Sequence, residues 1–249
     1  MVRQISSLQE RLYAEDRRSL LLIFQAMDAA GKDSTIRAVL RGINPAGVRV
    51  HSFKKPSSRE LGHDFLWRSV AALPEKGMVG VFNRSYYEET LVVRVHPHYL
   101  SAQGLELPDD AESFWQSRFA SIRDHERHLA ENGTTILKFW LNVSRDEQRR
   151  RFLSRIDESH KHWKFNPGDL PERARWDDYM HAYQETLRAT SRAHAPWFAI
   201  PADDKPFMRR CVADIVLRTL LAMDPQWPSI DEDDRAEMLA CRAALVNET

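Results

Sequence analysis

The segment Leu20–Thr35 constrains this fold most. An unbroken apolar run, Leu20–Phe24, leads through Gln25-Ala-Met-Asp28-Ala-Ala into Gly31-Lys32-Asp33-Ser-Thr35 and an amphipathic stretch. A short apolar run without alternation reads as a strand covered on both faces, as in a parallel sheet. A Gly-Lys pair opening the next amphipathic stretch reads as a turn into a helix, where backbone N–H groups and a cation can face an anion. The same rhythm continues along the chain. Candidate strands Ser19–Gln25, Val48–Phe53, Met78–Phe82, Thr134–Leu141 and Trp197–Ile200 alternate with candidate helices Lys32–Arg41, Arg59–Leu73, Ala111–Glu131, Arg145–Asp157, Asp177–His194 and Lys205–Met223. Repeated βαβ units of this kind predict an α/β fold with a doubly wound parallel sheet flanked by helices. A length of 249 residues suits one large α/β domain and is short for two.

Three segments break the rhythm: the loop His96–Pro108, the basic and aromatic stretch Ser159–Arg175 with Pro167, Gly168 and Pro171, and the end from Asp224. In that last segment the acidic run Asp231–Asp234 reads as a solvated helix start, since carboxylates favour helix amino termini. Lys and Arg number 36, as do Asp and Glu, so the formal net charge is zero. That argues against holding a polyanion by bulk charge, while leaving room for a local basic track. Cys211 and Cys241 have neither metal nor redox spacing. No apolar run is long enough to cross a bilayer, and the amino terminus has no signal-peptide core, so a cytoplasmic protein without a membrane partner is expected.

Three constellations carry chemistry. The first is the turn itself: Asp28, Ala29, Ala30, Gly31, Lys32 and Asp33 follow the strand, with Ala26 where a phosphate loop would carry its first glycine. Two carboxylates beside a phosphate lysine make chemical sense where a divalent cation bridges them to the substrate. The second, Asn83-Arg84-Ser-Tyr-Tyr-Glu88, follows the strand Met78–Phe82, and the carboxyl ends of parallel strands line one crevice. Arg84 can there take phosphoryl oxygens in a two-pronged contact. The third is the basic run Arg149, Arg150, Arg151, Arg155, Lys161 and Lys164. Between Arg145 and Lys164 there are seven Lys or Arg against four Asp or Glu. A basic helix feeding an irregular segment beside a phosphate loop fits a closing lid. Lys54 and Lys55 past the second strand, together with Arg59, Arg84 and Arg94, could form a track longer than one nucleotide needs.

In combination these segments resemble the polyphosphate kinase 2 family. The resemblance rests on Gln25–Asp33, Phe82–Glu88, Leu91–His96, Lys161–Leu170, Trp176–Tyr179 and His194–Asp203, in order along the chain from about Leu8 to Pro228. It implies a P-loop kinase fold of the thymidylate-kinase type in one domain, residues 1–228, with a helical lid at about 145–175, followed by an acidic helix or tail at 229–249. It implies phosphoryl transfer between inorganic polyphosphate and nucleotides with Mg²⁺ or Mn²⁺. Asp28 and Lys32 fall on the Walker A aspartate and lysine, and Asn83 and Arg84 on the Walker B-like pair. Many relatives carry aspartate at the position of Asn83 and asparagine at that of Glu88; the combination here resembles the subgroup that phosphorylates both AMP and ADP.

The expected catalytic set is therefore Asp28, which also orients the metal, with Lys32, Arg84 and a lid arginine, Arg155 or one of its neighbours Arg150 and Arg151. The expected substrate contacts are Ala29, Ala30, Gly31, Asp33, Lys54, Lys55, Asn83, Glu88, Arg94, Arg151, Lys161 and Lys164. Adenine nucleotides are the expected acceptors, with guanine nucleotides a further class, and a homodimer or homotetramer is the expected assembly. Rival readings are an ATP-dependent nucleoside monophosphate kinase, a non-enzymatic nucleotide or polyphosphate sensor, and a nucleic-acid-binding module. The last is disfavoured by zero net charge and the lack of a recognisable module.

Overall fold

A computed structural model describes residues 1–248; Thr249, at the end of the expected tail, lies outside them. Five parallel strands, β1 (Ser19–Gln25), β2 (Val48–Ser52), β3 (Val79–Asn83), β4 (Thr134–Asn142) and β5 (Trp197–Pro201), lie in the order β2-β3-β1-β4-β5. Every residue of β1 is buried, as a central strand covered on both faces requires. It pairs Leu20–Phe24 with Val79–Asn83 on one side and Ser19–Gln25 with Thr134–Trp140 on the other.

The helices are α1 (Val2–Glu15), α2 (Lys32–Val39), α3 (Ser58–Leu61), α4 (Trp67–Val70), α5 (Val92–Val95), α6 (Ala111–Glu131), α7 (Arg145–Asp157), α8 (Asp169–Ala174), α9 (Trp176–Thr190), α10 (Lys205–Met223) and α11 (Glu232–Val246). α1 and α2 pack on α10, while α5 and α6 pack on α9. The core between sheet and helices is aromatic and aliphatic, with Phe24 and Phe139 stacked at 5.0 Å between ring centres. No helix among the described residues is long and apolar enough to cross a membrane.

Two departures from the sequence reading have local causes. The helix expected over Arg59–Leu73 is two single turns, α3 and α4. Gly62 closes the first, its N–H returning to the Arg59 carbonyl, and Asp64 redirects the chain by accepting from the Leu66 N–H (2.9 Å). α1 was not anticipated, although Ile5, Leu8 and Leu12 recur at helical spacing and all three are buried. The acidic run at the carboxyl end does start a helix: Asp231 caps α11, which has no buried residue among those described.

Candidate active site

The connection after β1 runs to β2 at one edge of the sheet, whereas the connection after β3 crosses over to β4. The loops leaving the neighbouring strands β1 and β3 therefore diverge, and such a switch point opens a crevice at the strands' carboxyl ends. The loop Ala26–Gly31 fills one side of it. Ala29 (φ 61°) and Gly31 (φ 106°) are left-handed, as is Arg84 (φ 65°) just past β3. A non-glycine residue in that region costs about 1–2 kcal/mol and persists only where surrounding contacts hold it. For Arg84 one such contact is its own N–H, which donates to the Phe24 carbonyl of β1 (3.0 Å). In the loop the N–H groups of Ala29, Gly31, Lys32 and Asp33 have no acceptor among the described residues. Clustered free N–H groups at a helix start form an anion-binding concavity.

Side chains complete the charge pattern. Lys32 Nζ donates to the Ala26 carbonyl (2.8 Å). Burial and the nearby Arg84 guanidinium lower the Lys32 pKa to about 8, against the pull of Asp28 and Glu88. Arg84 donates through one terminal nitrogen to Glu88 Oε2 (2.9 Å) and through the other to Asp28 Oδ1 (2.8 Å). Glu88 above all, with Asp28, raises its pKa despite burial, so it is always a cation. Asn83 Nδ2 donates to Asp33 Oδ1 (2.5 Å), joining the ends of the two loops. The structure thus brings Asp28, Lys32, Asp33, Asn83, Arg84 and Glu88 together.

Beside them lies a cleft lined by Ala26, Met27, Asp28, Arg84, Glu88, Leu91, Val92, Glu172, Tyr179 and Tyr183. Glu172, Tyr179 and Tyr183 were not singled out from sequence. The signal was present for the tyrosines, which recur one turn apart on the buried face of α9. Burial first of all raises the pKa of both hydroxyls, so both stay neutral. Glu172 Oε2 takes His96 Nε2 (2.9 Å) and accepts from the Tyr179 hydroxyl, which fastens α8 over the cleft. Oxygen donors suit a hard divalent cation, and Asp28 and Glu88 offer them. The described residues contain no cluster of three His, Cys, Asp or Glu able to hold a metal, so further ligands would come from phosphate oxygens and water.

The remaining expected residues divide. Arg155, one turn beyond Arg151 on α7, pairs with Asp169 Oδ2 of α8 (2.8 Å) and lies over the Phe152 ring. Burial and then Asp28 raise the Asp169 pKa, which places this pair within electrostatic reach of the loop. Lys54 and Lys55 are exposed past β2. Lys161 pairs with Glu158 and Ser154 just past the end of α7, and Lys164 lies over Trp163.

Two residues are corrected. Arg151 does not offer its guanidinium to substrate: all five N–H groups are taken, by Glu147 Oε1 and the carbonyls of Ala29, Ala30, Ala202 and Asp203. Arg94 does not join a track in the crevice. Its side chain is 12% exposed, lies over Trp115 and Phe119 and pairs with Glu112 (3.6 Å).

Comparison with known proteins agrees with this geometry. The chain is 52% identical over 246 residues to the ADP-polyphosphate phosphotransferase of Rhodopseudomonas palustris, covering 98% of this chain and 85% of that protein. It is 46% identical over 226 residues to the AMP/ADP-polyphosphate phosphotransferase of Meiothermus ruber, covering 91% and 80%. The crystal structure of polyphosphate kinase 2 from Arthrobacter aurescens superposes with a TM-score of 0.88 at 43% identity, covering all of this chain and 83% of that one. The family model for polyphosphate kinase 2 matches residues 1–228. With Lys32 and Arg84 at the carboxyl ends of neighbouring strands and these matches along its length, the chain belongs to the polyphosphate kinase 2 family, enzymes that transfer phosphoryl groups between polyphosphate and nucleotides.

Proposed function

We propose that this chain phosphorylates both AMP and ADP from inorganic polyphosphate. The observation that carries the reading is Arg84, fixed between Asp28 and Glu88 beside Lys32, with three of its five N–H groups left without a protein acceptor. In the forward reaction a terminal phosphate oxygen of the nucleotide attacks the terminal phosphorus of polyphosphate in line. The bond to the bridging oxygen breaks, and that oxygen keeps the electron pair at the end of a chain one phosphoryl group shorter. The step requires positioning and neutralisation of charge rather than a covalent enzyme intermediate. Lys32, Arg84 and the loop N–H groups receive the phosphoryl oxygens. Asp28 holds a divalent cation, Mg²⁺ or Mn²⁺, which neutralises phosphate charge when bound. Arg155 reaches the site from a lid spanning about 145–175, while Lys54 and Lys55 hold more of the polyphosphate. Leu91, Val92, Tyr179 and Tyr183 give the cleft an apolar wall suited to a nucleoside. Residues 1–228 act as one domain, and the chain works as a homo-oligomer.

The test is incubation with long-chain polyphosphate and Mg²⁺, separately with AMP and ADP, followed by chromatography of the nucleotides. ADP and then ATP from AMP, and ATP from ADP, are expected. Product from one acceptor alone removes the dual range. No product from either acceptor, while ATP with AMP yields ADP, gives the assignment to a nucleoside monophosphate kinase.

A further inference from the structure

The buried side chains of α7 reach the phosphate loop from behind. Gln148, 1% exposed, donates to the Asp28 carbonyl (3.0 Å). Arg151, 8% exposed and one turn further along the same helix face, donates to the carbonyls of Ala29 (3.0 Å) and Ala30 (2.7 Å). Three successive loop carbonyls are thus drawn toward α7. In a planar trans peptide the C=O of one residue and the N–H of the next point in opposite directions. Holding the carbonyls of Asp28, Ala29 and Ala30 therefore turns the N–H groups of Ala29, Ala30 and Gly31 away from α7. That of Ala30 closes onto the Met27 carbonyl (3.3 Å), while those of Ala29 and Gly31 stay open. The same contacts hold Ala29 in its left-handed conformation.

Arg151 is itself held. Its other terminal nitrogen donates to the carbonyls of Ala202 (2.7 Å) and Asp203 (3.0 Å) at the end of β5, and Nε donates to Glu147 (2.6 Å). Asp203 in turn accepts from the N–H of Ser144, the residue that caps α7 (2.7 Å). The planar fork of a guanidinium can serve four carbonyls on two loops at once, which a lysine ammonium cannot.

We infer that Arg151, assisted by Gln148, is the positioning residue of the phosphate loop: it orients the loop N–H groups toward the bound polyphosphate without touching it. The inference rests on the proposal that this loop receives phosphate. The same contacts tie α7 to the loop and to the chain just past β5.

The experiment compares Arg151→Met, Arg151→Lys and Gln148→Met with the unmodified protein. Binding of inorganic tripolyphosphate is titrated calorimetrically at low temperature, and the thermal midpoint is recorded alongside. For Arg151→Met the dissociation constant should rise about tenfold or more in protein that is still folded, since small misplacements of binding groups have large effects. Arg151→Lys should recover part of the loss, Gln148→Met should show a smaller loss, and the KM for ADP should change less than that for polyphosphate. Unchanged tripolyphosphate binding in folded Arg151→Met, with only the thermal midpoint lowered, overturns the inference and leaves a structural arginine. Should that variant fail to fold, unchanged binding in both Arg151→Lys and Gln148→Met overturns it equally. An unmodified protein that bound no tripolyphosphate would overturn the phosphate-loop reading as well.

Discussion

Two clusters in this molecule share a composition and differ in what they can do. In the core, Lys138 Nζ donates to Glu126 Oε2 (2.6 Å), to the Tyr87 hydroxyl (2.8 Å) and to the Thr190 carbonyl (3.0 Å). Glu126 Oε1 accepts from the hydroxyls of Tyr86 and Tyr87 (2.9 and 2.7 Å), and both ions are 0% exposed. At the crevice, Arg84 also pairs with carboxylates, two of them, but it spends only two of its five N–H groups on them, and its side chain is 34% exposed. The ammonium with every donor satisfied and no access to solvent can only hold β4 to its neighbours. The guanidinium with donors to spare at an open cleft can take phosphate oxygens. A cation beside carboxylate is common to both clusters; the donors left over, and whether solvent reaches the cation, separate them.

Removing the cation tests that contrast from both sides. Arg84→Met or Lys32→Ala should lower kcat by about 10³-fold, within the range found for losing a charge-stabilising donor, while the urea midpoint moves little. A folded variant of either kind with near-normal turnover in a polyphosphate-dependent ATP assay would break the functional half of the comparison. Lys138→Met should do the reverse. It strands a buried carboxylate, whose Oε2 loses its cation, so stability should fall by about 3–5 kcal/mol, read from urea unfolding. The kcat/KM of the protein that remains folded should stay near the unmodified value. Pairing the change with Glu126→Gln should restore much of the stability, because the amide removes the uncompensated charge and keeps an acceptor for the two tyrosine hydroxyls.

How much of this was legible in the sequence follows from the same distinction. The central strand was readable to the residue, because the unbroken apolar run Leu20–Phe24 has one stable environment between two helical layers. The crevice residues Asp28, Lys32, Asn83 and Arg84 were readable because strand ends in a parallel sheet converge on a single edge. The separate surroundings of the α7 arginines were not. Arg151 and Arg155 stand one turn apart on one helix, and only the structure places the first behind the phosphate loop and the second against Asp169. The break at Gly62–Asp64 escaped an argument based on apolar periodicity, since a side chain that bonds its own backbone two residues on acts locally and leaves the pattern around it intact. Glu172 was missed because nothing near it in the sequence marks its contact with His96, 76 positions away.

A smaller effect sharpens the crevice side of the comparison. With its pKa lowered to about 8, Lys32 is protonated below that pH and neutral above it. Bound polyphosphate favours the charged form, so binding should take up a proton near the midpoint and weaken as pH rises. From pH 7 to 9, tripolyphosphate affinity should fall by up to about tenfold, the loss of one proton-linked contact across one unit beyond the midpoint. Calorimetric titration in buffers of different ionisation enthalpy reads both the affinity and the proton uptake. Lys32→Met should remove the uptake, and a profile that Lys32→Met leaves unchanged would assign the titration to another group.

The smallest expected effect is the one that separates the two terms of the criterion. Arg94 Nη1 also lacks an acceptor, yet it is buried under Trp115 and Phe119 rather than open to a cleft, and its acidic partner Glu112 is 62% exposed. If spare donors alone made a cation functional, Arg94→Met would weaken polyphosphate binding. If access is required as well, the substitution removes only a cation–aromatic contact and a solvent-screened ion pair, and the methionine keeps most of the apolar packing of the arginine stem. Stability should then fall by about 1 kcal/mol, with the KM for polyphosphate unchanged. A severalfold rise in that KM would mean that the basic track extends past α5, and that spare donors matter even where aromatic rings cover them.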